Sequence, residues 1–274
     1  MSNYISVIIT AYNRKEFLLD AIRSVINQTL NRELYEIIVV KNFHDEDIDN
    51  YITENKVREI NMEGTVGEFL HAAVLESHGN ILSFLDDDDL FTKDKLEFVF
   101  NAFHRKKITY LHNNCNYIID NDISQKPRRR YSPIDFNLSS ISIKRDIIDL
   151  NYMNTMITGP DALMYLFASE YSGRLIDTGK RLTYYRIHNN NTSQKITWFS
   201  VYNNQLKEFK HHFTNRKYRI FLKRVEFNIE FGKLRSSNNK LCVNSFLKLM
   251  FLSLVFVMPG EILFLVIKFL RDNL

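Results

Sequence analysis

Four consecutive carboxylates, Asp86-Asp87-Asp88-Asp89, close the apolar run Ile81-Leu82-Ser83-Phe84-Leu85, and this junction constrains the chain more than any other segment. The apolar run reads as a buried strand. Adjacent like charges raise one another's pKa and resist joint ionisation, so such crowding calls for a compensating cation. Open α/β sheets bind ligands beyond the carboxyl ends of their strands, and a divalent-metal site there is the reading we adopt. An isolated acidic run is a solvated turn; the preceding strand and the motifs below weigh against that here.

Strand and helix alternate around this junction. Residues 5–10, opening Ile5-Ser6-Val7-Ile8-Ile9, read as a first buried strand, and Phe17, Leu18, Ala21, Ile22, Val25 and Ile26 then recur at helical spacing. Asn13 is expected to cap that helix, with Glu16 reaching back as in a capping box. A second strand is expected over 37–40, a helix over 66–75, the strand over 81–85 and an amphipathic helix over 93–103. This order predicts an α/β fold with a mainly parallel sheet covered on both faces and right-handed crossovers. From Ile108 to Tyr185 the alternation loosens: Lys126-Pro127-Arg128-Arg129-Arg130 reads as an exposed connector, a helix begins near Asp161, and Leu182-Thr183-Tyr184-Tyr185 reads as a strand. Asp89 is expected to cap the segment after the acidic turn.

At 274 residues, 45% hydrophobic and 25% charged, the chain buries one sizeable core with room for an appendage. Cys115 and Cys242 form no C-x-x-C pair, which excludes a zinc knuckle or disulfide framework and fits a reducing cytosol. The N-terminus enters the first strand without a signal-peptide pattern. Net charge is +4, but basic residues such as Lys207, Lys210, Arg216, Lys217, Arg219, Lys223 and Arg224 gather before the C-terminal apolar tail. That suits an anionic membrane surface; no motif supports nucleic acid as a partner. The tail is apolar over 246–258 and 262–270, broken by Pro259-Gly260-Glu261. Glu261 at a bilayer centre would cost roughly 2.5–3.5 kcal/mol, so two short interfacial helices fit better than one span; packing on the main domain, or in a homodimer, is the alternative. The expected organisation is a main domain over 1–200, a basic helical linker over 201–240 and an apolar hairpin over 241–274, placed on the cytoplasmic face of the cell membrane.

Five motifs occur in order: Thr10-Ala11-Tyr12-Asn13-Arg14 after the first strand, Ile38-Val39-Val40, the run from Ser77 into the four aspartates, Thr158-Gly159-Pro160-Asp161, and Tyr184-Tyr185-Arg186-Ile187-His188. Together, over roughly residues 4–193, they resemble family 2 glycosyltransferases of the GT-A fold. The resemblance implies a Rossmann-like mixed, mainly parallel sheet flanked by helices. It also implies metal-dependent inverting transfer of a sugar from a nucleotide-diphosphate donor to an acceptor hydroxyl, on a glycan or lipid-linked acceptor, with Mn2+ or Mg2+. On the same basis Asp88 and His188 are metal ligands and Asp161 is the base that deprotonates the acceptor. Donor binding falls to Thr10, Ala11, Tyr12, Asn13, Arg14, Asn42, Asp86 and Asp87. Tyr12 would offer a ring face to the base, Asn42 a hydrogen bond to its edge, and Lys41 a phosphate contact.

The chain departs from the family pattern at three places. Pro160 stands where relatives carry Glu, Lys41-Asn42-Phe43-His44 replaces an Asp-Asp-Gly-Ser-like segment, and Leu70-His71 replaces an Arg-Asn pair. Uracil specificity therefore does not carry over. His211-His212 receives no metal assignment. Two other readings remain: a nucleotidyltransferase making sugar nucleotides, which would want a glycine-rich loop that Thr10–Arg14 lacks, and a non-catalytic membrane-associated module. Pro160 and Lys41 favour the last; the joint presence of Asp86, Asp88, Asp161 and His188 opposes it.

Overall fold

Strand β1 (Ile5–Ala11) lies between β2 (Tyr35–Lys41) and β4 (Ile81–Asp86), parallel to both. A strand buried on both faces reads as a continuous apolar run, and Ile5, Val7, Ile8 and Ile9 are fully buried. This computed structural model describes residues 4–105, 107–119, 122–124, 137–171 and 173–188, with parts of 201–213, 243–255 and 266–270. The chain divides into two compact units, Met1–Asn191 and Thr192–Leu274.

In the first unit the sheet runs β3 (Arg58–Asn61), β2, β1, β4, β8 (Ile141–Lys144), β6 (Ile108–Ile119), β9 (Arg174–Ile187) and β5 (Leu90–Phe91), with β7 (Asp122–Ser124) paired to β6. Helix α1 (Leu18–Ile26) buries Leu18, Ala21, Ile22 and Val25, the stripe that the spacing predicts. Its start is a correction. Asn13 does not cap it: Asn13 has a left-handed φ of 52°, and the helix begins only at Leu18, with Phe17 at the cap and no side-chain bond there. Asn tolerates the left-handed region better than most residues, so the chain uses it to turn away from the sheet.

Two elements escape the periodicity. Helix α2 (Glu46–Glu54) buries only Ile48 and Ile52, too thin a stripe to read against its acidic residues, and is announced by Asp45 accepting from the Ile48 N–H. Strand β3 (Arg58–Asn61) is a four-residue, largely polar edge strand beside β2. Helix α3 (Val66–Glu76) carries a capping box from Thr65 and Glu68. Gly67 lets α3 meet α5 (Leu150–Asn154) and the turn after it, since a Cβ there would stand 2.3 Å from the Met153 carbonyl oxygen.

The turn after β4 leads into β5 (Leu90–Phe91) and helix α4 (Lys95–Arg105). Beyond it the region of loosened alternation contributes four further strands among the described residues. Strand β6 (Ile108–Ile119) pairs parallel with β9 (Arg174–Ile187), β7 (Asp122–Ser124) pairs with β6, and β8 (Ile141–Lys144) sits antiparallel between β4 and β6. Polar residues and register shifts around Asn113 and Asn114 interrupt the alternation that would announce these strands. Helix α6 (Pro160–Glu170) starts where the sequence predicts, with Gly159 at its cap and Pro160 in the first turn.

In the second unit, helix Val243–Val255 is described, and the Phe246 and Phe269 rings stack with centroids 4.2 Å apart. Among the described residues no helix is long and apolar enough to cross a membrane. The expected connector Lys126–Arg130, His211 and the break at Pro259–Glu261 lie outside the described residues.

Candidate active site

Sheet register brings the motifs to one edge. Thr10 pairs with Asp86 and Ala11 with Lys41, so β1, β2 and β4 end together. Asp86 begins an acidic turn closed by the Asp89 N–H donating to the Asp86 carbonyl at 3.2 Å. Burial pushes the Asp86 carboxyl up to about 8, reinforced by the charges of Asp88, Asp87 and Asp161 and relieved by Arg14. Burial also raises Asp87 to about 6, with Arg14 pulling the other way.

Asp89 does not cap the following segment. It is fully buried, and its Oδ1 accepts from the Arg186 backbone N–H at 2.9 Å, which ties the acidic turn to β9. Arg186 Nε donates to the Asp88 carbonyl at 2.9 Å, and its guanidinium lies over the Phe17 ring. Beneath the turn, buried Lys95 donates to Thr183 Oγ1 at 3.0 Å and to the Ser139 carbonyl. Arg186 lies in the motif Tyr184-Tyr185-Arg186-Ile187-His188 but received no role, and Lys95 lies outside the motifs; position opposite the turn, not residue type, gives them this task.

The stitching delivers His188 to the acidic turn. Its Nε2 stands 2.9 Å from Asp88 Oδ2 and 3.2 Å from an Arg14 terminal nitrogen. Arg14 in turn holds Asp87 through two hydrogen bonds, one of them Nε to Oδ2 at 2.8 Å, and its Nη2 is 2.8 Å from Asp88 Oδ2. Burial opposes charge on Arg14, but the bonds to Asp87 and the field of the aspartates outweigh it and raise its pKa further. Asp88 and His188 stand within direct hydrogen-bonding distance, and a carboxylate oxygen and an imidazole nitrogen are both donors to divalent cations. Among the described residues no group of three or more His, Cys, Asp or Glu side chains is arranged around one ion. Two protein ligands suffice for Mg2+-type sites that complete their shell with phosphates and water. The donor set therefore fits.

Asp161 occupies the first turn of α6. Burial raises its carboxyl to about 7, although the N–H groups of Ala162 and of Asp161 itself pull it down. Its charge reaches Asp86, and burial together with the same charge holds the Tyr110 hydroxyl well above its usual range. Tyr110 and Tyr165 meet edge to face beside it, with centroids 6.1 Å apart. The charge of Asp161 is thus felt both at the acidic turn and at Tyr110 on β6.

On the other flank, Tyr12 is 57% exposed, and its ring meets Phe69 at 6.0 Å. Asn13 and Asn42 are reciprocally bonded: Asn13 N–H donates to Asn42 Oδ1 at 2.8 Å, and Asn42 Nδ2 donates to Asn13 Oδ1 at 3.0 Å. Asn42 also donates to Glu63 Oε2 at 3.2 Å, a carboxylate that sequence reading missed because the strand before it went unread. Ala11 is buried and brings only its backbone to the edge. Lys41, expected to contact phosphate, is instead committed to the core. Lys41 is fully buried, its Nζ paired with Asp49 at 2.8 Å and Glu59 at 2.7 Å, and it donates to the Phe43 carbonyl. A buried ammonium needs such partners, and two flanking carboxylates claim it first.

Residues 6–170 match the model of the family described as glycosyl transferase family 2. This chain belongs to that family. An uncharacterized glycosyltransferase of Rickettsia bellii is 31% identical over 120 residues, which is 42% of this chain and 17% of the relative. An uncharacterized glycosyltransferase of Nostoc sp. is 24% identical over 216 residues, 68% of this chain and 66% of the relative. The match thus spans a minor part of the Rickettsia protein's length. Among solved structures, S. aureus TarS 1–349 in complex with UDP-GlcNAc superposes with a TM-score of 0.66 at 13% identity, covering 93% of this chain and 80% of that one. At that identity the likeness establishes the fold. For a family 2 glycosyltransferase the departures now have places: Pro160 serves as a first-turn residue of α6 and Lys41 as a core ion pair, while Asn42 stays at the sheet edge.

Proposed function

We propose that this chain is a metal-dependent inverting glycosyltransferase that moves a sugar from a nucleotide-diphosphate donor to a hydroxyl of a glycan or lipid-linked acceptor. The observation that carries this reading is the meeting of the motifs at one sheet edge: Thr10 pairs with Asp86, and His188 Nε2 stands 2.9 Å from Asp88 Oδ2. The charge of Asp161 also raises the Asp86 carboxyl, which supports a base near the acidic turn. The UDP-GlcNAc bound by TarS supports a nucleotide-sugar donor for this fold.

Asp161 accepts the acceptor hydroxyl proton as the acceptor oxygen forms its bond to the anomeric carbon; the bond to the diphosphate oxygen breaks, and the nucleoside diphosphate leaves with that electron pair. A carboxyl held near neutrality by burial matches the task, since it is both available as a base and strong enough to act as one. Asp88 and His188 would hold a divalent cation, whose positive charge stabilises the departing diphosphate. Tyr12 offers its exposed ring to the nucleobase, and Asn42 with Glu63 faces the base edge. The basic stretch before the apolar tail supports attachment of the C-terminal unit to an anionic, cytoplasmic membrane face.

The test is a thermal-shift panel of UDP, GDP, ADP and CDP, each with and without Mn2+. Binding at about 100 times Kd stabilises a fold by about 2.7 kcal/mol, a readily measured rise in melting temperature. One diphosphate should stabilise strongly, and only with the ion. No response to any of them at millimolar concentration would remove the donor-binding reading.

A further inference from the structure

Arg14 touches three of the residues assigned above to the donor and the ion: Asp87, Asp88 and His188. Its guanidinium spans the pair proposed above to hold a cation. Nη2 lies 2.8 Å from Asp88 Oδ2, and Nη1 lies 3.2 Å from His188 Nε2, the nitrogen a metal would use. That nitrogen also stands 2.9 Å from the Asp88 carboxylate. As an acceptor from Arg14 it offers no proton to Asp88; as a donor to Asp88 it opposes an Arg14 N–H. A cation between them resolves this conflict, but the guanidinium and a metal ion cannot both fill the space. Two unit charges 4 Å apart repel by about 4 kcal/mol at an effective dielectric of 20.

We propose that Arg14 is a built-in counter-ion that competes with the divalent cation for Asp88 and His188, and that metal entry releases its guanidinium to the donor diphosphate. This rests on the metal-dependent reading above. Arg14 is suited to both positions, because a planar fork binds carboxylates and phosphates in the same bidentate manner. Its side chain is 24% exposed, against 5% for Asp87 and 9% for Asp88, so it has solvent on one side into which to turn. Exchange of one cation for another keeps the aspartates neutralised throughout, so the turn never faces its own repulsion unaided. Arg14 would thereby couple the two ligands: metal frees the arginine for the diphosphate, and the diphosphate draws the arginine from the metal ligands, each raising affinity for the other.

The experiment measures Mn2+ binding by electron paramagnetic resonance of the free ion, without nucleotide, for the wild type, Arg14→Met and Arg14→Lys. Nucleoside diphosphate affinity at saturating Mn2+ is measured alongside. Competition predicts that Arg14→Met binds Mn2+ about tenfold or more tighter than wild type and the diphosphate about tenfold more weakly. Arg14→Lys, which keeps the charge and guards against a folding defect, should fall between them in both. A purely structural arginine would lower the melting temperature and leave Mn2+ affinity equal or weaker, and that result overturns the proposal while leaving the metal reading intact. Absence of Mn2+ binding in all three proteins, with diphosphate binding retained by the wild type, overturns both.

Discussion

His188 Nε2 and Asp88 Oδ2 stand 2.9 Å apart although their positions are 100 apart in the chain. The antiparallel pairs Leu90 to Tyr184 and Phe91 to Thr183 run β9 back past the acidic turn, and the bond from Arg186 N–H to Asp89 fixes its last step. The proximity follows from backbone pairing. Asp88→Asn and His188→Ala should each weaken Mn2+ binding in the presence of nucleoside diphosphate by about tenfold or more, because a two-residue ligand set has no spare member. Calorimetric titration checks this, and an unchanged affinity in both variants refutes the assignment.

Asp161→Asn should lower turnover by about 10²–10⁴-fold, the range for loss of a general base, with donor affinity nearly unchanged. Steady-state kinetics with varied donor separates the two effects. Wild-type turnover in this variant would end the base assignment.

The pH profile should follow the same residue. Asp161 acts only when deprotonated and its carboxyl sits at about 7, so kcat/KM should climb as pH rises through neutrality and level off above it. A rate constant that is flat from pH 5.5 to 8.5 contradicts a base with this environment.

Stability should run the opposite way. Asp87, Asp161 and Asp86 titrate in the fold at about 6, 7 and 8, above the ordinary carboxylate value of 3.8. Carboxyls raised in this way favour the fold while protonated; the contribution is complete below the unfolded value and is lost as pH rises through 6 to 8. The melting temperature without metal or nucleotide should therefore fall between pH 5.5 and 8.5. Asp86→Asn should flatten that fall and gain roughly 2–5 °C at pH 8, at the expense of activity. A variant as pH-sensitive as the wild type speaks against this origin.

Lys41→Met should destabilise by about 2–3 kcal/mol, because Asp49 and Glu59 lose the ammonium between them; both are partly solvated, which keeps the loss below that of a fully buried pair. Nucleotide affinity should stay within about twofold of wild type, judged by chemical denaturation and by titration. A selective loss of diphosphate binding with stability intact would restore Lys41 to the site.

Residues 5–10, 37–40 and 81–85 were legible as strands because strands buried on both faces leave a continuous apolar signature, and the acidic turn was legible because four adjacent charges are costly without purpose. The motif order carried the family. Helix α2, strand β3 and most of β6 and β9 were not legible, since their polar residues answer to neighbours distant in sequence and not to a local period. For the same reason Asn13 read as a cap and Lys41 as a phosphate ligand. A left-handed turn and a buried ion pair with Asp49 and Glu59 are properties of the packed sheet edge. The sequence by itself determined which residues carry charge and where the core strands lie. Only tertiary structure decided that Arg14 bridges Asp88 and His188 and that the charge of Asp161 is felt at Asp86, because electrostatics acts through distance in space, and strand pairing sets that distance.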